Sequence, residues 1–109
     1  MSDIAVIADK DSGIGFKSIG FDTYFLDPNN LDDQEVDKTI NRVFRKGYKI
    51  IFLTEVFYKH YMSLIEELTL NKLYPIAVAI PSVSGRQHLS HDIVKGLVEK
   101  ALGGDFLDT

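Results

Sequence analysis

The sequence contains no cysteine among its 109 residues. That excludes disulfides, thiolate metal sites and thiol nucleophiles, and it suits a reducing compartment. Long apolar runs are missing too, and a bilayer-spanning helix needs about 20 consecutive apolar residues. The apolar stretch Ile4 to Ala8 has no basic region before it and is closed by Asp9, so it does not read as a secretory signal. An excess of basic residues is also lacking. Twelve Lys and Arg stand against sixteen Asp and Glu, for a net charge of −4. A chain that grips nucleic acid by charge alone needs a basic surface. The expectation is a soluble chain without a nucleic-acid partner or direct membrane insertion, whose membrane association runs through other proteins.

Phosphate-binding and catalytic signatures are equally scarce. No Walker A segment exists. Gly13, Gly15 and Gly20 approach the dinucleotide fingerprint, but Ser18 occupies its third glycine position. These glycines read instead as a tight turn with close helix–strand packing. His88 and His91 stand three apart without a third ligand, and zinc sites take three or four. Ser82, Ser84, His88 and Asp92 are the residue types of a hydrolase triad, yet no G-x-S-x-G elbow presents a nucleophile. No catalytic residue, metal ligand or cofactor is predicted.

What is present is one folding unit. The hydrophobic fraction is 45% and the charged fraction 26%, ordinary values for a globular domain. A chain of this size buries roughly 65% of its unfolded surface, enough for one modest core.

Short β-branched runs alternate with helical periods. Ile4 to Ala8 is continuously apolar and predicts a strand buried on both faces. Asp9 to Gly13 reads as a turn, Ile14 to Ile19 as a short helix stopped by Gly20, and Phe21 to Leu26 as an edge strand. Asp32 and Glu35 stand in capping-box spacing ahead of the stripe Val36, Ile40, Val43 and Phe44, with Arg42, Arg45 and Lys46 in the last turn. Gly47 ends that helix. Ile50 to Leu53 gives the strongest buried-strand signal. Thr54 caps a third helix running from Glu55 to about Leu68, whose face includes Phe57, His60, Tyr61, Leu64 and Ile65. His60 on that stripe reads as a packing residue. Pro75 introduces a strand over Ile76 to Ile80, and Ser90 caps a last helix with the stripe Ile93, Val94, Leu97, Val98, Ala101 and Leu102, stopped by Gly103 and Gly104.

The order βαβαβαβα predicts an α/β fold, a four-stranded parallel sheet in the order 2-1-3-4 with helices on both faces, receiver- or flavodoxin-like, and a C-terminal helix. The second and third helices cover one face. The last helix either folds back over the other face or leaves the body for a partner. The chain accordingly divides into a body, residues 1–81, and a segment 82–109 made of hinge loop, helix and tail.

Ligands of such sheets bind beyond the strands' C-terminal ends. Asp9 and Asp11 sit there and suggest Mg²⁺ binding in a stand-alone receiver-like signalling domain. That chemistry also needs an acceptor Asp after the third strand, where Leu53-Thr54-Glu55 stands, and a Lys after a fifth strand that is not predicted. The alternative is a solvated turn whose carboxylates cap a helix.

Two features fit an interaction module. Tyr58 and Met62 lie four apart, off the face of Phe57 and Tyr61, and exposed Tyr and Met are common at interfaces. The last helix, with Ile93, Leu97 and Val98, has a broad apolar face and is followed by Phe106-Leu107, which is costly to leave in water. Arg86, in the Ser-Gly-Arg loop, is a candidate partner contact. Tyr58, Met62, Arg86, Ile93, Leu97, Val98 and Phe106 are therefore the candidate partner-binding residues.

Ile4-Ala5-Val6-Ile7-Ala8-Asp9-Lys10-Asp11 followed by Gly15-Phe16 and Gly20 resembles the opening of the F subunit of V-type and archaeal-type ATPases. Ile51-Phe52-Leu53-Thr54-Glu55 is similar to that family's third strand, Ile80-Pro81-Ser82 with Gly85 to its fourth strand and loop, and Leu97 to Gly103 to its closing helix. The resemblance covers essentially the whole chain. It implies a receiver-like fold without receiver chemistry and a non-catalytic part of the central rotor shaft. The implied partners are the coiled coil of the shaft's D subunit, the catalytic ring and the rotor's membrane connection. The implied location is cytoplasmic and peripheral to the membrane, and the implied role is coupling of ATP hydrolysis or synthesis to proton or sodium transport.

Overall fold

Two continuously apolar segments become the centre of the sheet. The computed structural model describes residues 3–31, 34–82 and 91–102, without the side chains of residues 91, 101 and 102. Strand β1 (Ile4–Ala8) and strand β3 (Ile50–Thr54) are buried along their whole length. They lie side by side, with β2 (Asp22–Phe25) outside β1 and β4 (Ile76–Ile80) outside β3, all parallel. The order is 2-1-3-4, as the alternation of strands and helices predicts. β2 is the partly exposed edge strand expected from its mixed pattern.

Alternate strand residues build two cores. Ala5, Ile7, Ile51 and Leu53 face helices α2 (Gln34–Phe44), α3 (Glu55–His60) and α4 (Met62–Thr69), meeting Val36, Ile40, Phe57 and Ile65. Ile4, Val6, Ala8, Ile50 and Phe52 face α1 (Lys10–Ser18) and α5 (His91–Leu102), meeting Phe16, Val94 and Val98. Phe16 and Phe52 pack as tilted rings 6.0 Å apart. The last helix thus folds back on the face it shares with α1.

The structure corrects three local readings. Helix α1 begins at Lys10, four residues before the expected start at Ile14. Asp9 is its N-cap, with a carboxylate oxygen 3.3 Å from the Ser12 amide. Glycines lower helix propensity, but Gly13 is needed for packing: a Cβ there would stand 3.0 Å from Phe25 Cε1 and 3.1 Å from Ala8 Cβ. The third helix is bent into α3 and α4 at Tyr61 (φ −105°, ψ 20°). Its hydrogen bonds persist across the bend, Tyr61 N to Phe57 O at 3.0 Å and Ile65 N to Tyr61 O at 2.8 Å. Thr54 occupies the N-cap position of α3, but its side chain makes no capping bond and its hydroxyl is buried without a partner.

Gly20 (φ +92°) and Gly47 (φ +96°) end their helices in the left-handed region. Arg42 lies in the last turn of α2, whereas Arg45 and Lys46 belong to the turn that follows it. The expected caps Asp32 and Ser90 and the stop at Gly103 lie outside the described residues.

Candidate partner-docking surface

The edge where receivers do their chemistry is occupied by local structure. Asp9 caps α1, and Asp11, half-buried, sits in that helix's first turn. A groove of about 310 Å³ runs between Asp9, Lys10, Phe25, Leu26, Asp27 and Pro28. The Asp27 carboxylate accepts from the Asn29 amide at 2.9 Å and from Asn30 Nδ2 at 3.1 Å, which uses both its oxygens to fold the turn. β3 ends in Thr54 followed by Glu55, which is exposed at the start of α3. Among the described residues, no group of three or more His, Asp or Glu side chains is placed to hold a metal ion. His60 is exposed rather than packed on the apolar stripe, its ring edge-on to Tyr61 at 4.9 Å. Ser82 and Asp92 are exposed, while Ser84, Arg86, His88 and Phe106 lie outside the described residues.

The apolar candidates divide by burial. Tyr58 is half-buried against the α2–α4 core, and Met62 is 44% exposed. Together with Glu55, Lys59 and Ala79 they line a groove of about 280 Å³ beside β4. On α5, Ile93 is 53% exposed, Val94 and Val98 are fully buried, and Leu97 is half-buried against the second core. Val98 therefore presents no surface in this arrangement. Leu97 lines a second groove with Phe52, Val78, Ala79, Ile80, Pro81 and Lys100. Ala79 belongs to both grooves, so the two border β4.

One exposed apolar group lies between the elements the sequence predicts. Leu70 (67% exposed), Leu73 (80%), Tyr74 (48%) and Ile76 (50%) lead from α4 into β4. Leu70, Leu73 and Tyr74 keep helical spacing, but they stand beyond the end of α4, so the spacing alone does not mark them as exposed. The available signal is compositional: three large apolar residues stand in a turn, around Asn71 with its φ of 58°. Solvated turns are usually polar, and a cluster of exposed apolar side chains marks a contact surface. The grooved flanks of β4, this turn and Ile93 provide apolar surface for a partner. Glu55, Lys59 and Lys100 beside the grooves provide charge of both signs.

Residues 4–98 match the family described as ATP synthase (F/14-kDa) subunit. The chain is 35% identical over 104 residues to the F subunit of a V-type ATP synthase from Clostridium perfringens, covering 95% of this chain and 94% of the relative. It is 36% identical over 107 residues to the F subunit of a V-type ATP synthase from Fusobacterium nucleatum, covering 98% and 97%. An archaeal relative, the F subunit of an A-type ATP synthase from Methanothermobacter thermautotrophicus, is 29% identical over 103 residues, covering 94% and 93%.

Proposed function

The chain belongs to the ATP synthase (F/14-kDa) subunit family, and from that premise we propose that it is a non-catalytic rotor component of a V-type or A-type ATPase. Its partner is the coiled-coil D subunit of the central shaft. The pair turns inside the catalytic ring and connects to the membrane rotor, coupling ATP hydrolysis or synthesis to proton or sodium transport. The observation that carries this reading is the match over residues 4–98, with the relatives' names.

The physical features of the chain support the role. A part that transmits rotation has to be stiff, and here a parallel sheet is packed on both faces with close-fitting cores. The docking residues are Tyr58 and Met62 beside β4 and Ile93 and Leu97 on α5, with Arg86 and Phe106 in the segment 82–109. Helices of a coiled coil offer ridged apolar surface that fits such shallow grooves. The body, residues 1–81, carries the sheet, and the segment 82–109 acts as an arm that docks on it through Val94 and Val98. No helix among the described residues is long and apolar enough to cross a membrane, which suits a peripheral member held at the cytoplasmic face through the shaft.

Mixing the purified chain with the D subunit and resolving the mixture by size exclusion tests the proposal. A stable one-to-one complex, with no ATPase activity from this chain alone, is expected. Failure to co-migrate would overturn the reading.

A further inference from the structure

The two edges of the sheet differ in protection. β2 ends in aromatic residues overlaid by lysines: Lys17 Nζ sits 5.6 Å from the Phe25 ring centre and Lys46 Nζ 5.5 Å from that of Tyr24. Its first residue, Asp22, is charged. Lysine and other charge along an edge strand deter pairing with another chain. On β4, among the described residues, no lysine is seen over a strand side chain; the nearest charges, Glu55 and Lys59 in one flanking groove and Lys100 in the other, line its sides. Ile76-Ala77-Val78-Ala79-Ile80 contains no charge and no proline, and among the described residues its one sheet neighbour is β3. Its outward N–H and C=O groups meet no second strand among the described residues, and its first residue, Ile76, is 50% exposed. An extended backbone is the structure that matches such a row of donors and acceptors in spacing.

The sequence of the strand indicates which backbone. Ile-Ala-Val-Ala-Ile reads identically in both directions. Antiparallel pairing about a two-fold axis through Val78 therefore sets Ile76 against Ile80 of the second copy, Ala77 against Ala79, and Val78 against itself. Every pair matches in size, and every side chain keeps its face of the sheet. A slip of one residue would set side chains against those of the opposite face. We propose that the chain, when free of other partners, self-associates through β4 into a two-fold dimer with one sheet running through both copies. The grooves flanking β4 then face their counterparts, which brings Met62 and Leu97 toward the contact. The assembly closes at two copies, because the outer edges are the lysine-covered β2 strands. Self-association of this kind is independent of the rotary assignment and survives its failure.

The absence of cysteine gives a clean test. Opposed residues of an antiparallel pair have Cα atoms about 4.5–5.5 Å apart, within disulfide range. Val78→Cys in the full chain should therefore oxidise to a covalent dimer. Ile76→Cys places its two thiols four residues out of step, roughly 13 Å apart along the strands, and should not. Light scattering of the unmodified chain over a concentration series should show the mass doubling. Ala79→Lys, at an exposed edge position, should raise the dissociation constant at least tenfold while leaving thermal melting of the monomer unchanged. A monomer at every concentration would overturn the proposal. So would cross-linking of Ile76→Cys at the rate of Val78→Cys, or an Ala79→Lys variant that dimerises as before.

Discussion

The Tyr48 hydroxyl donates to Asp22 Oδ2 at 2.7 Å, tying the segment before β3 to the edge strand β2. Tyr48 has one hydroxyl proton, and it goes to Asp22. The Tyr24 hydroxyl, 2.7 Å away, is then the donor to Tyr48, and Lys46 Nζ donates to Tyr24 at 3.4 Å. The direction of the whole chain of bonds, from Lys46 to Asp22, follows from that single proton. Its members come from β2 and from the turn after α2, so it fastens the outer strand where, among the described residues, no second strand holds it.

Tyr48→Phe keeps the ring and removes the link. Tyr48 is 3% exposed, but Asp22 and Tyr24, which lose its hydroxyl, are half-buried, so water takes over part of the bonding. A loss of roughly 0.5–1.5 kcal/mol is expected, the net worth of a hydrogen bond whose remaining partners water can reach. Urea unfolding should show the midpoint falling with the slope unchanged. An unchanged midpoint would assign the network no role in stability.

Alkaline pH should act through the same residue. Burial first, then hydrogen bonds with Tyr24 and Asp22, push the Tyr48 phenol well above its ordinary range. A raised pKa in the folded state means the folded chain holds this proton more tightly than the unfolded one. The contribution is complete below the unfolded value of about 10 and is lost as pH rises beyond it. Melting temperature should drop above about pH 10, and Tyr48→Phe should flatten that drop. Equal slopes for the two proteins would refute the assignment.

The central sheet and the α2–α4 face are legible in the sequence because their residues obey one period throughout. Ile4 to Ala8 and Ile50 to Leu53 are apolar at every position, and Val36, Ile40, Val43 and Phe44 keep helical spacing, all of them buried. Helix α1 is half hidden because Gly13 and Gly15 argue for a turn, and tertiary packing overrides that local preference. The bend at Tyr61 leaves no mark, since the apolar spacing continues across it. In the candidate site, Met62 is legible as an apolar position off its helix's main stripe, and Ile93 as a member of the last helix's broad stripe. Val98 is not separable from Ile93 by spacing, because a broad apolar stripe does not state which of its margins meets the sheet.

Gly13 is a packing glycine, and its substitution should be costly although it lies in a helix. A Cβ there would meet Phe25 Cε1 at 3.0 Å, Ala8 Cβ at 3.1 Å and Thr23 Cγ2 at 3.2 Å. Valine adds two methyl groups beyond that point. Gly13→Val should destabilise the chain by about 1–3 kcal/mol through overpacking. Thermal melting measures it, with Gly96→Val as the comparison, because nothing stands within 4 Å of a Cβ at Gly96.

Two residues of one helix should separate docking from folding. Ile93 is 53% exposed and Val98 is fully buried against the second core, though both lie on α5. Ile93→Asp places a charge in solvent, so the melting temperature should hold. If Ile93 meets the coiled coil, the charge is buried on assembly, and affinity for the D subunit should fall at least tenfold, equivalent to about 1.4 kcal/mol. Val98→Asp puts an unpaired carboxylate beside the buried sheet and should unfold the chain or lower its melting temperature steeply. Running both variants through thermal melting and co-migration gives four readings with one expected pattern. A Val98→Asp chain that melts normally would mean that α5 does not contribute to the core of the free protein. An Ile93→Asp chain that binds normally would remove this face of α5 from the proposed interface.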